Sequence, residues 1–211
     1  MRTTPAQRLL LGLVVLAQLG CGGLFGRKDR EPIQTYMFSP REFAQVGQID
    51  SDLILLVSPV QSVGHDSQHM SYTMRPYERT YYAFARWADT PPRMIEPLVV
   101  QAMEASGLFG AVIDTSSSVI ADVRLDLDLL VAQHEFHTAR SQGRMVIRAQ
   151  LNDLGTNAIL ATRVFEEVSP APAENAYGGV LALNLALENI LEDLASWVAA
   201  ELADRPPAPA D

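Results

Sequence analysis

His134-Glu135-Phe136-His137 is the stretch whose residue types come closest to reactive chemistry, because two imidazoles and a carboxylate are the donors of a zinc hydrolase. A zinc pair on a helix needs its histidines four apart, so that both project from one face. Here they are three apart in a segment with strand patterning, where that spacing puts two side chains on opposite faces. The reading is therefore a pair of surface or edge histidines. His65, Asp66 and His69 form a second donor set in a loop rich in His, Ser and Gln, but no fourth ligand accompanies them. Asp122, Asp126 and Asp128, with Arg124 among them, line the polar side of one strand. Paired carboxylates do acid and base work only when their surroundings drive their pKa values apart, and a regular polar strand face is a solvated one. There is no Gly-x-Ser-x-Gly elbow, no Walker-type loop and no Gly-x-Gly-x-x-Gly opening a helix. These residues point to a protein that is not an enzyme and uses neither metal nor cofactor.

Cys21 is different, because its surroundings specify its chemistry. It is the only cysteine, and it closes an N-terminal segment with Arg2 and Arg8 ahead of an apolar run from Leu9 to Ala17 and small Gly20 just before it. That order is a secretory leader, too short for a permanent membrane span. Residues 1–20 read as a lipoprotein signal peptide and Cys21 as the lipidation site, although Gln18 stands where a lipobox usually has Leu. A diacylglyceryl group on the sulfur and a palmitate-type acyl chain on the freed amine would anchor the protein stably.

The 211 residues carry a net charge of −9, and loss of Arg2 and Arg8 with the leader makes the mature chain more acidic. Nucleic acid and anionic lipid heads both require clustered Lys and Arg, so neither is an expected ligand. With Cys21 acylated, no thiol remains for a disulfide, and the fold rests on its core.

Gly, Pro and charged residues without a sustained period make residues 21–40 a tether, with Tyr36-Met37-Phe38 the first residues composed like an ordered element. Residues 41–203 form the domain, and 204–211, rich in proline, a disordered tail. Leu53 to Val57 is a continuous apolar run closed by Ser58-Pro59, suited to a buried strand. Tyr77 to Trp87 reads as a second strand or an extended edge. Thr90-Pro91-Pro92 caps and starts a helix that Gly107 stops, and Pro97 inside it predicts a kink or a later start. Ala121, Val123, Leu125, Leu127, Leu129 and Val131 alternate with polar residues in a long half-buried strand. Met145 to Leu151 and Ile159 to Val168 follow as two more strands around the turn-rich segment Asn152–Asn157. Val180, Leu183, Leu187, Ile190, Leu191, Leu194 and Val198 make the apolar stripe of a closing helix. Tyr72, Tyr77, Tyr81, Tyr82, Phe84 and Trp87 are concentrated ahead of the first helix. They are either core and edge packing or a binding surface, with Tyr81, Tyr82 and Trp87 its candidate partner-binding residues.

Leu53 to Val60, Ala85-Arg86-Trp87-Ala88, Pro92-Arg93-Met94-Ile95 and Ala105 to Val112 resemble the ABC-type transport auxiliary lipoprotein family, the paraquat-inducible protein C-like lipoproteins. The likeness covers most of residues 36 to 200, with Arg86-Trp87 its sharpest match. It implies an α+β fold, a twisted and mainly antiparallel sheet packed by two helices in a single domain. It also implies a non-catalytic lipoprotein anchored to the periplasmic face of the outer membrane, where it docks or stabilises an ABC-type lipid transporter of the mammalian-cell-entry (MCE) class. The implied partner is an MCE-type substrate-binding protein or an ABC transporter subunit. Gly22, rather than Asp, after the lipidated cysteine fits outer-membrane sorting. The alternative is a periplasmic carrier that holds lipid or another apolar ligand between sheet and helices.

Overall fold

The computed structural model describes residues 31–39, 43, 45, 46, 52–136 and 139–203. The leader, Cys21, His137 and the residues 204–211 lie outside the described residues. The packed unit starts at Ile33, earlier than the boundary at 41 placed from composition. Glycines and charges dominate only as far as Pro32; from Gln34 the chain pairs into the sheet, and Phe38 is buried.

Among the described residues the order is β1 (Gln34–Tyr36), β2 (Ile54–Val57), β3 (Gln61–Ser62), β4 (His69–Thr73), β5 (Thr80–Trp87), α1 (Pro91–Ser106), β6 (Ala111–Ile113), β7 (Val123–Glu135), β8 (Gln142–Asp153), β9 (Ala158–Pro170) and α2 (Ala176–Ala203). The α+β fold is as the sequence predicts, with one mixed sheet whose longest ladders are antiparallel. β8 pairs with β7 on one side and β9 on the other, both antiparallel. The opposite edge of β7 is occupied in succession by β2, β3 and β4, all parallel to it, with Leu55 opposite Val123, Ser62 opposite Leu129 and Thr73 opposite Glu135. Residues 54–73 thus act as one interrupted strand, and the interruption carries His65 and Asp66. Outboard lie β6 against β2, and β5 then β1 beyond β4.

α1 begins at Pro91 with Thr90 at the cap position, in extended geometry but without a side-chain cap bond. Gly107 ends it at φ 72°. The helix runs through Pro97, so the later start is excluded. The proline ring sits on the exposed side, where water can satisfy the carbonyl it leaves without a donor.

β7 alternates as predicted up to Leu129 and then changes phase. Leu129 pairs with Ile147 and Val131 with Val146, leaving Leu130 as an extra residue that is 38% exposed. One inserted residue exchanges the two faces of a strand. Beyond it Ala132 and His134 are buried and Val131 is half-buried, so the surface placement of His134 is corrected by this bulge.

The predicted stripe of α2 is buried throughout and lies on β7, β8 and β9, while α1 covers β2 and β6 and touches α2. The carboxylates of the other β7 face are ion-paired or hydrogen-bonded neighbours. Arg124 Nε is 3.1 Å from Asp126, Arg148 is 2.9 Å from Asp128, and Asn152 donates to Asp126 at 2.8 Å. Asp122 accepts the backbone N–H of Ile54 at 2.8 Å, fixing the start of β2.

α2 can lie this close to the sheet because β8 has no side chain at Gly143. A Cβ there would sit 2.7 Å from the Leu183 nitrogen and 2.8 Å from the Ala182 carbonyl carbon, both backbone atoms of α2. Gly143→Ala therefore destabilises the fold by about 1–3 kcal/mol through overpacking, read as a lower urea midpoint. Gly155→Ala, whose Cβ would meet nothing nearer than Asp153 at 3.4 Å, stays near wild type.

Candidate docking site

The hairpin joining β4 to β5 turns at Arg75-Pro76-Tyr77-Glu78. The Glu78 N–H donates to the Arg75 carbonyl at 3.2 Å, and the two side chains form an ion pair at 3.1 Å. Proline suits the second position of such a turn, and the third position takes a positive φ normally supplied by Gly or Asn. Here it is Tyr77, at φ 67° and fully exposed. A bulky residue in the left-handed region costs roughly 1–2 kcal/mol, and this ring recovers none of that by burial. The chain keeps a solvated aromatic ring where local stability favours glycine.

Beside this tip, the ends of β7 and β8 complete an open cleft of about 400 Å³ lined by Thr73, Pro76, Tyr77, Glu78, Arg79, Gln133, Glu135 and Arg144. Its charges are cross-braced. Arg144 is 2.7 Å from Glu166 and 3.8 Å from Glu135, Glu135 accepts from Gln133 at 2.8 Å and Gln142 at 3.0 Å, and Arg79 donates to the Gly64 carbonyl at 2.9 Å. A rigid surface of mixed charge with an aromatic at its rim suits a protein partner better than an apolar ligand.

The three aromatic residues singled out from sequence do not share a surface. Tyr81 is 47% exposed, with its ring 5.3 Å from that of His69. Tyr82 is half-buried, and its hydroxyl shares a 2.7 Å hydrogen bond with His134 Nδ1. Trp87 is 1% exposed and stacks on Phe38 at 4.6 Å, which makes it a core residue and corrects its place in a contact surface. The physical reason is a register shift: β4 pairs His69 with Arg86 and Ser71 with Tyr81, so β5 carries extra residues between those pairs and turns both Tyr82 and Trp87 inward. Tyr77 was visible in sequence only as part of an aromatic run; the turn signal was the proline before it.

Beneath the hairpin His134 is buried at 0% exposure, and its Nε2 has no hydrogen-bond partner. The Phe136 ring is 4.2 Å away, and Gly179 of α2 lies so close that a Cβ there would clash with the His134 ring at Nδ1. Burial pushes the His134 pKa down to about 4. Burial first, then Tyr72, raises the Tyr82 hydroxyl well above the ordinary phenol value, so it stays neutral. His65 is also buried and lowered, by burial and then by Arg79, while Asp66 accepts from Ser62 at 2.7 Å and His69 turns toward Tyr81. Among the described residues no three His, Cys, Asp or Glu side chains converge on a point where a metal could sit.

A family model described as the ABC-type transport auxiliary lipoprotein component matches residues 36–195. The chain belongs to that family.

Structures of known proteins carry the same fold. Protein XCC0632 from Xanthomonas campestris, of the family-model DUF330, superposes with a TM-score of 0.74 at 21% identity, over 81% of this chain and 97% of its own. The hypothetical protein CT253 from Chlamydia trachomatis superposes with a TM-score of 0.54 at 8% identity, over 74% and 100%. No curated protein matches the sequence. As a transport auxiliary lipoprotein, this family member is membrane-associated in the cell envelope and works alongside an ABC transport system.

The buried imidazole gives this auxiliary lipoprotein a defined acid response. The unfolded chain protonates His134 near 6.5 and the folded one near 4, so its contribution is fully present above 6.5 and is lost as pH falls toward 4. The loss totals about 3 kcal/mol, and His65 adds to it with the same sign. Denaturant titrations from pH 7 to pH 4 check this: the gap between wild type and His134→Gln narrows as pH falls, whereas parallel curves would contradict it.

Proposed function

We propose that this auxiliary lipoprotein is a non-catalytic docking or stabilising component of an MCE-type envelope lipid transport system, held by acylated Cys21 at the periplasmic face of the outer membrane. Its partner is an MCE-type substrate-binding protein or an ABC transporter subunit. The observation that carries the docking role is Tyr77, a fully exposed aromatic ring kept at a turn position that favours glycine. Tyr81 and the cross-braced cleft extend that surface.

The carrier alternative needs an apolar cavity between sheet and helices. That space is filled by Leu55, Val99, Leu125, Leu151, Leu183 and Leu187, all at 0% exposure. A second cleft, of about 490 Å³, lies on the outer side of α1 and is lined largely by charged and polar residues. The packing therefore supports docking over carriage.

Tyr77→Gly separates the surface from the fold, because it relieves backbone strain while removing the ring. The variant melts at or above the wild-type temperature and, combined with Tyr81→Ala, recovers the MCE-type partner from detergent extracts at least tenfold less well. Undiminished recovery with a folded variant would contradict the assignment of this hairpin.

A further inference from the structure

The exposed side of α2 changes character along its length. In the first three turns it is Tyr177, Leu181 and Leu185, at 54%, 40% and 45% exposure. Further on it is Glu192, Asp193 and Ser196. The strip of chain around β1 lies against those same first turns. The Tyr36 and Tyr177 rings are 6.2 Å apart, and Asn184 accepts the Ser39 N–H at 2.7 Å while donating to the Met37 carbonyl at 3.4 Å. Met37 is 61% exposed and Ile33 is 55% exposed. Five apolar or amphipathic side chains thus belong to residues 33–39 and to the helix turns against which that strip packs, and in sequence only residues 22–32, which reach at most about 40 Å when extended, separate Ile33 from Cys21.

We infer that this patch rests on the phospholipid bilayer that holds the Cys21 acyl chains, so that the domain is seated on the membrane by two contacts. The inference builds on the proposed lipidation. Leu, Met and Ile partition into the headgroup and acyl boundary, and tyrosine prefers that interface. The short tether keeps the patch at high effective concentration near the surface, so a contact too weak to bind alone becomes populated. The chain from Cys21 onward lacks Arg2 and Arg8 and is more acidic than the −9 of the full sequence, so attraction to headgroups contributes nothing, and the contact is apolar and insensitive to salt.

The test uses the full lipidated chain in zwitterionic phosphatidylcholine vesicles containing acyl-brominated lipid, with a fluorophore on a single introduced cysteine. Acylation of Cys21 leaves that cysteine as the only free thiol, and intact mass checks this independently. A probe at Leu181→Cys is quenched at least threefold more strongly than one at Asp193→Cys, equally at low and high salt, with unchanged circular dichroism in both. Equal quenching at the two positions overturns the inference even when Cys21 is acylated. So does a probe at 181 that is unquenched in vesicles but shielded by a co-purifying protein in native membranes. An unmodified Cys21 with two reactive thiols is a separate failure, of the lipid anchor itself.

Discussion

The backbone-to-backbone approach of α2 to the sheet is the constraint on which the rest of the structure depends. Gly143 lets α2 lie directly on β8, and Gly179 lets its first turn close over His134 on β7. At that separation the apolar stripe of α2 packs on the inward residues of three strands, and the burial of so many aliphatic side chains dominates the favourable side of folding. A ligand chamber would require the opposite, a helix held away from the sheet by bulk. The same close contact that seals the core argues against a carrier.

The contact also fixes the end of the molecule where partner binding is proposed. His134 is gripped between Gly179 and the Tyr82 hydroxyl, and β4 pairs with β7 at that point. The hairpin that emerges beyond it therefore starts from a rigid base. Its tip holds Tyr77 in a left-handed conformation inside a turn closed by the Glu78 N–H to Arg75 carbonyl hydrogen bond, with an exposed ion pair between the same two residues. The buried neutral imidazole stabilises this arrangement only above the pH at which it takes up a proton.

Periodic elements were legible in the sequence, and interruptions of period were not. The α1 limits followed from Thr90, Pro91 and Gly107, and the α2 stripe and the first half of β7 followed from their repeats, because side-chain direction there follows helix or strand geometry alone. Two insertions without a sequence signature defeated the same reasoning. The extra Leu130 turned His134 inward, and the extra residues in β5 buried Tyr82 and Trp87 while leaving Tyr81 outside. β1 was missed because three residues on a sheet edge carry too little pattern to separate from a tether. The cleft is assembled from residues more than sixty positions apart and has no linear trace.

The family assignment makes this chain an accessory of envelope transport, and its architecture fits a part that holds something in place. It has a tight core, polar clefts, an exposed aromatic tip and a candidate lipid anchor on a short leash. The most direct measurement is to purify the protein by detergent from its native membrane, taking the intact mass and identifying the proteins that accompany it. The expected result is a mature chain beginning at acylated Cys21, in company with an MCE-type or ABC transporter subunit. A chain with an unmodified Cys21, or an acylated chain that brings extractable lipid but no transporter component, would contradict it.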